Sequence, residues 1–432
     1  MMIPLSLSVN IPTTNKPRLV VIGGGFAGMH LIKSLKQAEL QIVLIDNNNY
    51  HTFQPLLYQV ATAGLEPDSI AFPLRKIFKH QKNLFFRMAE VIKIDPAQKT
   101  VETSIGKIPY DYLVLAMGSK TNYLGMEDVK KYAMSMKSLT EALDLRSLML
   151  QNFEAAILAT DLKERQSLMT FVVVGGGPTG VEMAGALGEL KNHILPADYP
   201  ELDLDKMQIH IIDAAQRLLP TMSQEASKGA MNFLQKFDVN IWLNTKVALY
   251  DGFTLTLDGG KQIPTRSVIW AAGVMGAAIA GLNPEVLDKN NRIHVDEYSR
   301  VQGYEDIFAI GDVAAMQTKD HPHGFPMLAP VAIQQGTNLA RNLQHLLNNE
   351  SLNPFHFHYL GVMATVGRNQ AVVDLPFVKF QGILGWFIWV FVHLMTLVGF
   401  RNRVVTFVNW VFSYLSYDKG IRLIVRPFPP RT

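Results

Sequence analysis

The 432-residue chain contains no cysteine. This excludes thiolate catalysis, disulfides, iron–sulfur clusters and thiolate zinc sites, so any redox chemistry must come from a bound cofactor. Charge is scarce at 18% and nearly balanced, 40 basic residues against 37 acidic. No block of like charges is long enough to hold nucleic acid, and no nucleic-acid partner is expected. The pairs His321/His323 and His356/His358 have no third ligand cluster beside them, so no metal site is read. Residues 1–15 hold no Lys or Arg and lack the charged start of a secretory signal; the expectation is a cytoplasmic protein with a loose N-terminal extension. No short-period repeat is visible. Apolar residues, by contrast, make up 48% of the chain, enough for several cores, and the surplus gathers at the C-terminus.

Two segments carry the same pattern. Residues 18–22 form a β-branched run that leads into Gly23-Gly24-Gly25-Phe26-Ala27-Gly28, a helical stretch and a second apolar run ending at Asp46. The pattern returns 152 residues later, with Gly175-Gly176-Gly177-Pro178-Thr179-Gly180 and a run ending at Asp213. Such a turn sets backbone N–H groups and a helix N-terminus against a pyrophosphate, and the closing acid can bind a ribose hydroxyl. Asp46 follows Gly23 by 23 residues; Asp213 follows Gly175 by 38, which predicts an insertion around residues 192–206. The bland alternative, two glycine turns without ligand, is disfavoured because both acids are present. A carboxylate at Asp213 favours NADH over NADPH, while Arg217 nearby could rescue a 2′-phosphate.

Residues 110–118, with Ala116 and Gly118, resemble the strand and Ala-x-Gly segment of FAD-dependent pyridine-nucleotide oxidoreductases, and residues 267–273, with Ala272 and Gly273, are their counterpart. Residues 304–312, ending in Gly311-Asp312, resemble the second flavin motif of that family, which implies that Asp312 accepts from the ribityl chain. The resemblance places FAD on the first turn and NAD on the second. It narrows to the type II NADH:quinone oxidoreductases through residues 46–61, with Asn47, Gln54, Pro55 and Leu56 as flavin contacts, through Thr179-Gly180-Val181-Glu182, and through residues 329–336.

That likeness implies a non-proton-pumping NADH:quinone reductase, with Glu182 near the nicotinamide and Pro330, Ile333, Gln334 and Gln335 at the quinone. Many members carry Gln where Pro330 stands, leaving Gln334 more to do. A Pro fits the first turn of a helix whose positive end would then face the flavin. Glu182 is read as a first-turn acid whose carboxyl pKa is raised by burial and by neighbouring negative charge. Zero Cys excludes the persulfide chemistry of sulfide:quinone oxidoreductases; a soluble ferredoxin-type reductase and a membrane-bound flavoprotein sensor are the remaining rivals.

The predicted fold is α/β: two Rossmann-type domains plus a C-terminal hairpin and membrane-associating helices. The expected boundaries are 1–125 and 285–345 for FAD, 165–284 for NADH, and 346–432 for the C-terminal region, with residues 137–165 as a bridging helix. Residues 380–400 and 404–417 are uncharged and hold three of the five Trp. They are expected to lie on the cytoplasmic face of the cell membrane rather than span it, with Arg401, Arg403 and Lys379 as basic anchors. A homodimer is left open.

Overall fold

The computed structural model describes residues 9–416, 421–424 and 428. Residues 1–8 of the expected N-terminal extension and Tyr417, the end of the uncharged tail, lie outside the described residues. The chain divides into two compact units, one of residues 1–51, 72–120 and 274–359, the other of residues 52–71, 121–273 and 360–432.

The first unit is built on five parallel strands in the order Ile307–Ala309, Tyr112–Leu115, Arg18–Ile22, Gln41–Asp46, Leu84–Met88. Leu19, Val20 and Val21 in the central strand are fully buried, as are Val43 and Leu44 beside them. Both sheet faces are covered, which is why these strands read as continuous apolar runs and not as alternating ones. Helix Phe26–Ser34 follows the first glycine turn and packs against helix Ala329–Leu347.

The second unit repeats the plan. Its parallel strands run Ser267–Trp270, Thr170–Val174, Gln208–Ile212, Val239–Trp242, the same order as four of the five in the first unit. Helix Pro178–Glu189 follows the second turn. The predicted insertion is present as a π-helical segment Leu190–Ile194 and short helices Leu195–Asp198 and Leu204–Lys206.

Four expectations change. The bridging helix is two helices, Leu139–Leu158 and Leu162–Leu168. The first starts at a reciprocal cap, Ser138 accepting from the Glu141 N–H while Glu141 accepts from the Ser138 N–H at 2.8 Å; the second starts at Asp161. Both lie within the second unit. Residues 52–71, read with the FAD domain, group with the second unit, as do residues 360–432, which were read as a separate region, and the first unit resumes at Val274 rather than at 285.

The predicted hairpin is present, Val362–Thr365 pairing with Ala371–Asp374, and a third strand, Lys379–Gln381, extends it. The uncharged stretch beyond is not one helix. Helix Gly382–Thr396 has 15 residues and helix Phe400–Ser416 has 17, separated where Gly399 takes φ +88°. Fifteen residues rise only about 22 Å against a bilayer core of about 30 Å. Among the described residues no helix is long and apolar enough to cross a membrane.

Candidate nucleotide and proton sites

Both glycine turns have the same construction. Gly23 and Gly175 sit at φ +103° and +115°, and a Cβ on either would overlap the carbonyl of Ala116 or Ala271. Their N–H groups close onto the neighbouring strand, Gly23 to the Ile45 carbonyl and Gly175 to the Ile212 carbonyl, each at 2.8 Å. A Cβ on Gly28 or Gly180 would run into the carbonyl oxygen of Gly23 or Gly175, so only glycine lets the helix stand this close to the strand end. Gly25 and Gly177 face open space where a Cβ would project. Ala27 is buried and Phe26 half-buried, while Pro178 and Thr179 are exposed at the helix entrance.

The closing acids hold the turns. Asp46 Oδ2 accepts from the Gly24 N–H at 2.7 Å and Oδ1 from the Asn48 N–H at 2.7 Å. Burial pushes its pKa up, and the two N–H donors pull it back in part. Asp213 repeats this with the N–H groups of Gly176 and, at 2.6 Å, Ala215. A ribose hydroxyl would therefore share a carboxylate already anchored to the turn. Asn47 is exposed next to Asp46.

Arg217 is occupied within its own loop. Its guanidinium donates to the carbonyls of Pro220 at 2.6 Å, Met222 at 2.8 Å and Ser223 at 3.2 Å. Turning to a 2′-phosphate would break these bonds.

In the first unit the Gly311-Asp312 turn is held by residues that motif reading did not single out. Ser119 donates its hydroxyl to Asp312 Oδ2 at 2.6 Å. Buried Arg292 donates to the main-chain carbonyls of Asp312 at 3.1 Å and Phe325 at 2.8 Å. Gln335, expected at the quinone, is 1% exposed and accepts from the Gly311 N–H at 2.7 Å. Ala116 is buried and Gly118 takes φ +74°. Arg292 left no sequence signal because its partners are carbonyls that any residues would supply.

Helix Ala329–Leu347 begins as expected, with Pro330 in its first turn and Ile333 half-buried. Gln334 does not present a free amide. Its Nε2 donates to the His358 carbonyl and its Oε1 accepts from the His358 N–H, both at 2.9 Å. Two backbone partners match the two ends of an amide, so Gln334 pins residue 358 to the helix.

In the second unit, Gln54, Pro55 and Leu56 form a short 3-10 turn in which Gln54 accepts from Lys137 Nζ at 3.4 Å. Ala272 and Gly273 follow the strand Ser267–Trp270, half-buried, with Gly273 at φ +152°. Glu182 is the fifth residue of helix Pro178–Glu189 and not a first-turn acid, so it lies deeper than a dipole partner would. It is 7% exposed, and its Oε1 faces the Thr365 N–H of the hairpin at 3.4 Å. Burial raises its pKa to about 8. The Thr365 N–H and the Trp389 indole N–H, which lies near without closing a full hydrogen bond, offset this only in part.

Trp389 is 1% exposed and stacks on His393 with ring centres 4.1 Å apart. Trp410 donates to Gln59 Oε1 at 2.8 Å, and Gln59 donates to the Tyr58 hydroxyl at 2.9 Å. A cavity of about 100 Å³ is lined by Tyr58, Thr365, Arg368, Trp386, Trp389 and Trp410 among others. Among the described residues no His, Asp and Glu cluster could hold a metal ion.

The fold and the paired turns define an oxidoreductase built on two dinucleotide-binding units. Residues 17–336 match the Pyridine nucleotide-disulphide oxidoreductase family and residues 359–416 match the NDH2 C-terminal domain. The chain is 36% identical to the type II NADH:quinone oxidoreductase Ndh of Mycobacterium tuberculosis, over 95% of this chain and 91% of that protein. It is 35% identical to NdhA of the same organism, over 96% and 91%. NDH2 from Plasmodium falciparum, solved in complex with RYL-552, shares the fold with a TM-score of 0.87 at 21% identity, covering 95% of this chain and 100% of that one. The chain belongs to the type II NADH:quinone oxidoreductases. It has no cysteine with which to carry out the disulphide chemistry in the broader family's name.

Glu182 yields a signed test. Between its ordinary value of 4.5 and about 8, the folded protein holds a proton that the unfolded chain has released. Native stability from this group therefore falls as pH rises through that window, by up to about 1.4 kcal/mol per pH unit. Glu182→Gln removes the dependence, so the variant's unfolding midpoint should gain on the wild type steadily from pH 5 to pH 8. Parallel curves would mean that the buried carboxyl does not titrate this way.

Proposed function

We propose that this chain oxidises NADH and reduces a membrane quinone without pumping protons, with FAD held by the turn at Gly23–Gly28 and NADH by the turn at Gly175–Gly180. The observation that carries the reading is the duplicated turn with its closing acid, on a chain of this family. The first unit fits FAD on its own geometry: Gly25 opens onto space at the helix entrance, and the Gly311-Asp312 turn is braced by Gln335 at Gly311 and by Ser119 and Arg292 at Asp312. Bound FAD supplies the redox chemistry, taking a hydride equivalent from NADH and giving two electrons to quinone.

The protein's part is binding, electrostatics and protons. The Gly25 and Gly177 ends of the two helices direct N–H groups and positive dipole ends at pyrophosphates. Asp213 holds the adenosine ribose and repels a 2′-phosphate, and Arg217, tied to its own loop, gives that phosphate no help. Quinone reduction consumes two protons. Glu182, neutral below about pH 8, can hold one at its carboxyl oxygen and pass it on. Pro330 and Ile333 are the residues read at the quinone, with Gln334 and Gln335 shaping the segment they stand on and not contacting the quinone through free amides.

Attachment to the membrane rests on the tail. Ile383, Leu384, Phe387, Phe391 and Met395 are exposed along one side of helix Gly382–Thr396, while Trp389 is buried. Phe400, Val404, Phe407, Val408, Val411, Phe412 and Leu415 are exposed on the next helix, while Asn402 and Thr406 are buried. Spacings of three and four make each set a stripe, the pattern of helices lying in a lipid interface. The basic residues are less free than the sequence suggested. Arg401 lies 3.7 Å from Asp68, Lys379 3.1 Å from Glu225, and Arg403 donates to the Leu397 carbonyl at 2.9 Å. The apolar stripe is therefore the main attachment, on the membrane face where NADH is available, the cytoplasmic one.

Two experiments follow. Asp213→Ala should lower the preference for NADH over NADPH by about 1–3 kcal/mol, read as the ratio of kcat/KM values; an unchanged ratio would remove Asp213 from the ribose. The pair Phe391→Asp and Phe407→Asp should reduce co-sedimentation with phosphatidylcholine/phosphatidylglycerol vesicles at least about tenfold, since two buried aromatic side chains leave lipid. Unchanged sedimentation would place attachment elsewhere, and loss of a dimer in its stead would make this stripe a contact between copies.

A further inference from the structure

The middle glycine of each turn is gripped at both ends. Its N–H goes to the closing acid, Asp46 for Gly24 and Asp213 for Gly176. Its carbonyl is held differently in the two units. The Leu219 main-chain N–H donates to the Gly176 carbonyl at 2.8 Å, whereas the Gly24 carbonyl faces His51 Nδ1 at 3.1 Å. One turn is fastened by backbone; the other by a side chain.

The tautomer follows. A carbonyl only accepts, so Nδ1 carries the proton and Nε2 keeps a bare lone pair. His51 is 2% exposed, and no described residue partners Nε2. Burial, with Lys33 and His30 as neighbouring cationic or titratable groups, pushes the ring's pKa down to about 4, so it is neutral. Phe26 meets the imidazole edge-on at 5.0 Å.

The peptide joining Gly24 to Gly25 is planar and trans. Fixing its carbonyl toward His51 therefore turns the Gly25 N–H to the opposite side, at the helix entrance where a pyrophosphate is read to sit.

We propose that His51 is a positioning residue of the FAD site: its Nδ1–H holds the Gly24 carbonyl and so fixes the Gly24–Gly25 peptide with the Gly25 N–H turned to the bound pyrophosphate. This rests on the reading that FAD occupies the first turn. The second turn has no counterpart, so the effect belongs to FAD and not to NADH.

The test uses the full chain stripped of FAD and retitrated with it, binding being followed by fluorescence quenching. His51→Leu should raise the FAD Kd about 10- to 100-fold, the cost of one lost polar contact with a partner left unpaired. His51→Gln, whose amide can donate at one end and accept at the other, should return it to within about threefold of wild type. In ¹⁵N-histidine wild-type protein, His51 should show a protonated Nδ1 and an unprotonated Nε2 both before and after FAD is added. This last measurement needs no variant to fold. A wild-type FAD Kd in His51→Leu, equal losses in the Leu and Gln variants, or a His51 ring protonated on Nε2 in place of Nδ1 would overturn the proposal. Failure of wild-type apoprotein to bind FAD at all would instead remove the reading beneath it.

Discussion

The third glycine of each turn, Gly28 and Gly180, sets how closely a helix can approach the end of its strand. With no Cβ there, the helix N-terminus rests on the carbonyl of the first glycine, and that glycine is forced to positive φ over the next strand's Ala116 or Ala271. The N–H groups of the helix entrance then point outward together, where a doubly charged pyrophosphate can use them and the helix dipole at once. Strand order follows the same logic in both units, because the acid that braces the turn must come from the neighbouring parallel strand. What separates the units is the choice of side chains around an identical frame. An imidazole or a main-chain N–H holds the middle carbonyl, and a tethered arginine stands by Asp213 alone.

A second constraint governs the far side of the second unit. A carboxyl as deeply buried as Glu182 cannot remain ionised without an opposite charge, and its neighbours are a main-chain N–H and an indole. It stays protonated near neutrality, which suits a reaction that consumes protons. The same tail that walls in this carboxyl through Trp389 turns Phe387 and Phe391 outward. One helix thus has two unlike sides: its inner side packs against the hairpin, and its outer side is apolar and exposed.

The strands, both turns and both closing acids were legible because buried parallel strands leave unbroken apolar runs and the turns demand glycine where no side chain fits. The hairpin turns at Gly367-Arg368-Asn369, where Gly367 and Asn369 take the positive φ that glycine and asparagine tolerate best. In the tail, absence of charge marked what the segment faces, while Gly399, at positive φ, lies where one helix gives way to the next. Glu182 was placed one turn too early, since sequence cannot distinguish an exposed helix entrance from a residue sealed by a hairpin 183 positions away. Gln334 and Gln335 look alike in sequence, yet one pins His358 and the other the Gly311 turn. Arg292 and His51 bind main-chain carbonyls, partners that carry no residue identity, so no motif reveals them.

The central claim is that two like turns hold different nucleotides, FAD on the first and NADH on the second. It is tested most directly by measuring flavin absorbance per polypeptide, and flavin bleaching on adding NADH, in purified Gly28→Val and Gly180→Val proteins. Each valine fills the space where helix meets strand in one unit alone. The account predicts that Gly28→Val is purified colourless, while Gly180→Val is yellow and does not bleach with NADH. A colourless Gly180→Val protein beside a yellow Gly28→Val protein would contradict it.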